Sequence, residues 1–319
     1  MTSQNAYLCR KYFHSQSGMH YCFIINNAPD KVLNAPKIID QIGRLDTIID
    51  YEVYKTTAMR TATDFVCNYC KTKPDVETCF VACGGDGTIN EVATGMMLGG
   101  TSHKHLAVLA YGSGNDFIKY YPGKNFQNIG NIVSGQPHDI DIMKVGDDHY
   151  SINICNFGFD AKVCSVANRL NRRGWKNSYR WGLLNAILTA MRNSIDVTVD
   201  GERINEGKRL FLCTLGNNDH IGGEYYCSPR ASNDDGLIEV GLCKTSSLIN
   251  FLINLMPRYK KGTHLDNPRS SRYFIYRRAS VIDIHSHKPT ELCLDGEMLP
   301  GQDFHVEIIP GAISLIIPG

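Results

Sequence analysis

The sequence predicts a doubly wound α/β domain followed by an all-β antiparallel sandwich, and three observations carry the prediction. Apolar strand-like runs alternate with helical periodicity through the first third of the chain. Two of those runs end in glycine-rich exits, Gly84-Gly85-Asp86-Gly87-Thr88 and Gly112-Ser113-Gly114-Asn115-Asp116, which stand 28 residues apart. That is the spacing of successive βα units in a parallel sheet, where ligands bind at the carboxyl ends of strands. From about residue 137 short alternating strands and Asp-Gly turns take over.

The elements follow in order. Residues 21–25 form a short apolar strand, 37–45 an amphipathic helix, 50–55 a second strand and 57–70 a helix by period. The run ending at Cys83 and the run 106–110 are buried strands that complete a βαβαβαβ order. Later strands are expected at 139–145, 150–156, 196–199, 210–215, 236–243, 280–285 and 304–309, with helices at about 181–191 and 246–256. These readings place an α/β nucleotide-binding domain at 1–135 and the sandwich at 136–305, with 306–319 packing back on the first domain.

Composition narrows the function classes. The chain has 319 residues, 43% of them hydrophobic, and a net charge near +1, so nucleic acid is not an expected partner. No apolar run is long enough to span a bilayer, and the N-terminus has no signal-peptide core. Twelve cysteines without such a signal read as reduced thiols, and the expected location is cytoplasmic. Cys67 and Cys70 form a Cys-x-x-Cys without a second pair at zinc-finger spacing, so a buried helix face is expected there.

The glycine exits define a chemistry. Glycines let the backbone approach a ligand closely, and the amides of the following helix favour an anion such as phosphate. Asp86 in such a turn repels phosphate unless a cation lies between them, so the loop implies a metal–nucleotide complex. Asp86, Asp116 and Asp141 follow three different strands and are expected to converge on a magnesium ion through water. Asp116 equally suits a helix N-cap and Asp141 an exposed strand position. Near the C-terminus, Asp295 and Glu297 flank Gly296. One of these carboxylates within reach of an alcohol can accept its proton, Asp295 being the first choice; an ordinary Asp-Gly hairpin is the alternative.

Together these motifs resemble the bacterial diacylglycerol kinase and sphingosine kinase-like lipid kinases, which share the Gly-Gly-Asp-Gly-Thr loop with NAD kinases and phosphofructokinases. The resemblance runs from the strand at Phe23 to a closing strand at 312–317. It rests on residues 84–92, 112–116, 141–145 and 153–160, then Gly222-Gly223, Ser228-Pro229, Asp234-Asp235-Gly236-Leu237 and Leu294-Asp295-Gly296-Glu297. It implies an ATP- and Mg²⁺-dependent kinase of a lipid hydroxyl, diacylglycerol or a related alcohol, with the Leu-Asp-Gly-Glu ending favouring lipid kinases over NAD kinases. Nucleotide contacts are implied for Asn26, Thr56, Gly84, Gly85, Asp86, Gly87, Thr88, Asn90, Glu91 and Ser113. A structural magnesium is implied at the Asp235 carboxylate with backbone oxygens of Ser232 and Leu237.

One loop departs from the family pattern Asn-Pro-x-Ser-Gly. Here it reads Asn26-Asn27-Ala28-Pro29-Asp30, which permits altered nucleotide preference, weaker binding or loss of catalysis. The expected acceptor position is between the domains. Residues 169–181 carry Arg169, Arg172, Arg173, Lys176 and Arg180 beside Trp175, Tyr179 and Trp181, a composition suited to peripheral contact with an anionic membrane surface or to a solvated loop. A kinase of a soluble alcohol or of NAD, and a non-catalytic nucleotide-binding regulator, are the rival readings. A homodimer is left open.

Overall fold

A computed structural model describes residues 18–26, 34–158, 193–244 and 247–319. The first-strand loop after Asn26, the segment 169–181 and the helix expected at 181–191 lie outside them. The chain divides into two compact units, Met1–Ile140 with Gly311–Gly319, and Asp141–Pro310.

The first unit is a parallel α/β layer. Its elements are β1 (His20–Ile25), α1 (Asn34–Gly43), β2 (Asp50–Lys55), α2 (Thr61–Thr72), β3 (Thr78–Gly84), α3 (Asp86–Gly99) and β4 (Lys104–Ala110), then short helices α4 (Asp116–Lys119) and α5 (Ile129–Val133). Strand β1 lies between β2 and β3, β3 pairs with β4, and all three pairings are parallel. The chain therefore reverses direction across the sheet at β1/β3, which opens a crevice at the carboxyl ends of those strands. Phe23, Ile25, Val81, Cys83, Ala107 and Leu109 share one buried cluster with Ile38 and Ile42 of α1.

Helices α2 and α3 meet backbone to backbone. A Cβ on Gly99 would stand 2.6 Å from the Cys67 carbonyl oxygen and 2.7 Å from Cys70 Cβ, so only glycine allows that approach. Cys67 and Cys70 are free thiols at this contact, which gives the pair a packing role. Helix α2 begins four residues later than its periodicity predicts. Thr61 Oγ1 accepts the amides of Thr57 and Ala58 and donates to the Ala58 carbonyl, folding 57–60 into a turn, and Arg60 is left-handed at φ 64°.

The second unit is antiparallel. Its strands are the end of β5 (Gln136–Val145), β6 (His149–Ser151), β7 (Ile154–Gly158), β8 (Asn193–Val199), β9 (Glu202–Asn205), β10 (Arg209–Gly216), β11 (His220–Ile221), β12 (Tyr225–Tyr226), β13 (Ile238–Lys244), β14 (Phe274–Ala279), β15 (Val281–Leu294) and most of β16 (Glu297–Ile317). Strand β10 pairs with β7 on one side and β13 on the other, and β15 pairs with β7, β8 and β16. Alternate residues such as Cys155, Phe157, Val197, Val240, Leu242, Ile282 and Val306 fill the core between the strands. The closing residues of β16 return to the first unit, where Ser314 and Leu315 lie parallel to His105 and Leu106 of β4.

Strands β15 and β16 run well past the expected 280–285 and 304–309. The sequence 285–289 (His-Ser-His-Lys-Pro) hides the continuation, and the register shifts between His285 and Thr290. The helix expected at 246–256 reaches Lys260 through Leu248–Asn250, a π turn at Phe251–Leu255 and Met256–Lys260. Pro257 has no N–H for a regular α register, and the wider π turn precedes it.

Candidate active site

Four strand ends of the first unit present the expected nucleotide-contacting residues together. Asn26 follows β1, and Thr56 follows β2 with its amide on the Ile25 carbonyl at 3.0 Å. Gly84 closes β3, and Ser113 sits exposed in the exit of β4. The two glycine loops touch. A Cβ on Gly112 would be 2.4 Å from Gly85 Cα, and the Tyr111 amide donates to the Gly84 carbonyl at 2.9 Å. Thr88 folds back over Gly84, where an added Cβ would lie 2.3 Å from its hydroxyl, and Asn26 Nδ2 donates to that hydroxyl at 3.3 Å. No side chain caps Gly85, the N-cap of α3, so the first amides of this fourteen-residue helix are available to an anion.

Asn90 is buried one turn into α3, and Gly87 is exposed with open space around its α-carbon. Glu91 is engaged by the start of α2. Its carboxylate accepts the Ala62 amide at 3.2 Å, and its carbonyl accepts the Thr63 hydroxyl at 3.0 Å, so it caps α2 from the neighbouring helix. The implied nucleotide contact of Glu91 gains no support from this placement.

Asp86 and Asp116 are brought together. Asp86 Oδ1 accepts the Phe117 amide at 2.9 Å, while a Cβ on Gly114 would meet Asp86 Oδ2 at 3.2 Å and Asp116 Oδ2 at 3.7 Å. Desolvation by burial, and then the charge of Asp116, raise the Asp86 pKa above the usual carboxylate range. Lys119 Nζ is 2.6 Å from Asp116 Oδ1. Two carboxylates converging beside a phosphate-type loop fit a hard divalent cation, which would relieve their repulsion. Asp141 begins the second unit, where Oδ2 accepts the Gly236 amide at 2.7 Å and its amide donates to the Asn233 carbonyl at 2.7 Å. Among the described residues no three acidic, histidine or cysteine side chains form a metal cluster. The structure thus brings Asp86 and Asp116 together within the first unit.

Asp235 has an internal counter-ion. Oδ1 accepts the Leu237 amide at 3.0 Å and Oδ2 is held by the Arg278 guanidinium, while Ser232 Oγ donates to Asp234 at 2.6 Å. The Arg278 guanidinium is the counter-ion that the structure gives this carboxylate, as Lys119 is for Asp116. Sequence reasoning missed Arg278, which lies 43 residues away on β14.

Asp295 occupies the most elaborate environment. Asp295 and Gly296 are both left-handed, at φ 47° and 94°, in the two-residue turn joining Leu294 to Glu297. The hairpin turn is present, and it is what aims the carboxylate. Oδ2 accepts the Ser151 hydroxyl at 2.9 Å and the amides of Ile152 and Asn153 at 2.8 and 3.3 Å, and Oδ1 accepts the Ile154 amide at 2.8 Å. Desolvation raises its pKa to about 6, with the four donors pulling the other way. Oδ2 is fully engaged, while Oδ1 has room to accept a further hydrogen bond. Glu297 opens β16, partly buried, one residue beyond this turn. The cradle of Ser151 and residues 152–154 lies 141–144 residues from Asp295, so no local sequence pattern shows it, although residues 153–160 carry a motif of the resemblance.

Residues 21–145 match the diacylglycerol kinase catalytic domain, and residues 153–317 match the YegS C-terminal NAD kinase beta sandwich-like domain. The chain belongs to the YegS and diacylglycerol kinase family of lipid kinases. A protein of Chromohalobacter salexigens named "Probable lipid kinase YegS-like" is 30% identical over 244 residues, 75% of each chain. A protein of Yersinia pestis with the same name is 28% identical over 243 residues, 75% of this chain and 78% of its own. A solved structure titled as a "putative diacylglycerol kinase" of Bacillus anthracis superposes with a TM-score of 0.72 at 19% identity, covering 93% of this chain and 97% of that one. At that identity the structural likeness speaks for the fold.

Proposed function

We propose that this family member transfers the γ-phosphoryl group of ATP, with magnesium, to the hydroxyl of a lipid alcohol of the diacylglycerol type. The observation that carries the reading is the Asp295 carboxylate, held by four donors yet with acceptor capacity left on Oδ1 and a pKa near 6. A general base works best when its pKa lies close to the operating pH.

The chemistry assigned to the chain is short. The first unit holds the triphosphate through the amides of the Gly84–Thr88 loop and of α3, with Ser113 and Thr56 as hydroxyl contacts. Asp86 and Asp116 would hold a magnesium ion, which when bound offsets negative charge on the phosphates. Asp295 Oδ1 accepts the proton of the acceptor hydroxyl as its oxygen bonds to phosphorus. The bond from phosphorus to the β,γ-bridging oxygen breaks, and ADP leaves with that electron pair. Ser151 and residues 152–154 keep the carboxylate oriented and offset its charge before transfer.

Access to a lipid calls for an apolar contact. Ile249 and Ile253 are 72% and 73% exposed, one turn apart on the helical segment that ends at Lys260 and Lys261. Exposed apolar side chains followed by lysines suit peripheral attachment to an anionic bilayer.

The deciding experiment measures ADP release with diacylglycerol, a sphingoid base, a soluble alcohol such as glycerol, and NAD. The expected result is magnesium-dependent turnover with diacylglycerol above all others. Turnover with NAD or glycerol alone would replace the lipid reading. ATP binding with no turnover on any of them would make the protein a nucleotide-binding regulator.

A further inference from the structure

Buried polar atoms almost always find a partner, so a group of them left without one points to something the fold is built to receive. Among the described residues of the second unit, eight buried side-chain nitrogens or oxygens lack a hydrogen-bond partner, and six belong to four asparagines. They are Asn153 Oδ1, Asn217 Oδ1 and both polar atoms of Asn156 and of Asn218. All four residues are 4% exposed or less. The same unit satisfies an asparagine elsewhere, for Asn205 is just as buried and donates to the carbonyls of Ile195 and Lys208.

The four asparagines come from two adjoining segments. The amides of Asn217 and Asn218 both donate to the Asn153 carbonyl, at 3.0 and 3.2 Å. Asn217 Nδ2 reaches the carbonyls of Asp141 and Ile152, and Asn153 Nδ2 reaches that of His220. Asn156 stands in the middle of β7, flanked by Thr214 on β10 and Cys293 on β15. The group adjoins the proposed base, because the Asn153 amide itself donates to Asp295 Oδ2.

The chemistry of the group limits its ligand. A primary amide both donates and accepts, as a hydroxyl does, and carries no charge. Among the described residues of this unit no lysine or arginine side chain is buried, so the described surroundings of the asparagines favour a neutral group over a phosphate or carboxylate. We propose that Asn153, Asn156, Asn217 and Asn218 form a recognition pocket for the neutral, hydroxyl-bearing end of the acceptor, beside Asp295. The inference rests on the lipid-alcohol reading and deepens it. The asparagines select a glycerol-like hydroxyl pattern and hold the reacting hydroxyl against Oδ1. They are positioning and specificity residues, not proton carriers.

Two measurements on the full chain test it. In protein labelled with ¹⁵N-asparagine, glycerol is expected to shift the side-chain amide signals of Asn156 and Asn218, while inorganic phosphate leaves them in place. Asn156→Leu and Asn218→Leu remove the polar atoms at similar volume. Each is expected to raise KM for dioctanoylglycerol about ten-fold. KM for ATP and Tm should not worsen, since an unpartnered polar group is lost. Unmoved amide signals, meaning ordered water alone fills the group, would overturn the pocket. So would shifts caused by phosphate. Unchanged acceptor KM in both variants, or a fall in Tm and kcat with KM constant, would also overturn it. If the wild-type chain phosphorylates no lipid alcohol, the functional reading falls, and the glycerol titration still decides the pocket by itself.

Discussion

The hydroxyl of Ser151 donates to Asp295 Oδ2 at 2.9 Å across 144 residues of sequence. This bond favours the ionised carboxylate, against the desolvation that raises its pKa to about 6. If Asp295 is the base, kcat rises with pH through about 6 and then levels. Ser151→Ala removes one donor and moves that limb to higher pH. Asp295→Asn lowers kcat by roughly a hundred- to ten-thousand-fold at unchanged ATP affinity. Stability follows the same proton. With the folded pKa raised above the ordinary value of 3.8, the native state binds more protons between about pH 4 and 6. This group's contribution is therefore present at low pH and lost as pH rises through 6. A kcat profile flat from pH 5 to 7 would remove the assignment.

Gly112→Ala and Gly87→Ala are expected to separate loop packing from ligand approach. An alanine Cβ at 112 meets backbone, 2.4 Å from Gly85 Cα, so the two loops must part. The expected loss is roughly 1–3 kcal/mol of stability, together with ATP affinity. A Cβ at 87 meets nothing within 4 Å. Its melting temperature should hold while ATP affinity falls, because the crowding is with phosphate. Thermal melts and ATP titrations of both variants check this.

Glu91→Ala removes the cap that α3 provides to α2 and should cost about 1 kcal/mol. Glu91→Gln keeps an acceptor oxygen for the Ala62 amide and should be close to neutral in melting. Unchanged ATP affinity in Glu91→Gln is the expected outcome. A large loss there, with stability intact, would return Glu91 to the nucleotide.

Removal of divalent metal with EDTA should leave the melting temperature of the nucleotide-free protein unchanged, because Arg278 already neutralises Asp235. Asp235→Ala and Arg278→Ala should each cost at most about 1 kcal/mol, the pair being partly exposed. The double variant should be no worse than either alone. A marked drop in Tm on EDTA treatment would show a metal at this carboxylate after all.

Ile253→Asp should weaken sedimentation with phosphatidylglycerol vesicles while leaving turnover of a short-chain, water-soluble diacylglycerol intact. Equal sedimentation of variant and wild type would exclude this helix from membrane contact.

Much of the fold was legible because the glycine exits report on two levels at once. Gly84–Thr88 and Gly112–Asp116 mark strand ends by their apolar approach and mark the ligand side by their glycines. The Asp86–Asp116 pair was legible for the same reason. What escaped was whatever depends on partners distant in sequence. Arg278 on Asp235, Glu91 on Ala62, and Ser151 on Asp295 join elements that no local pattern connects. Asp141 lies inside β5, at the residue where the second unit begins, and its carboxylate accepts the Gly236 amide. The length of β15 was obscured because five polar or proline residues interrupt its alternation.

The free thiols give the two units separate clocks. Cys22, Cys79 and Cys83 are sealed in the first unit, and Cys155, Cys213, Cys243 and Cys293 in the second. Burial holds the thiols of Cys79, Cys155 and Cys213 well above their ordinary pKa, so none is a reactive thiolate in the folded chain. A thiol reagent therefore reaches them when the surrounding strands part. Mapping which cysteines it marks first tells which half of the molecule opens sooner, and by how much nucleotide slows one clock without touching the other.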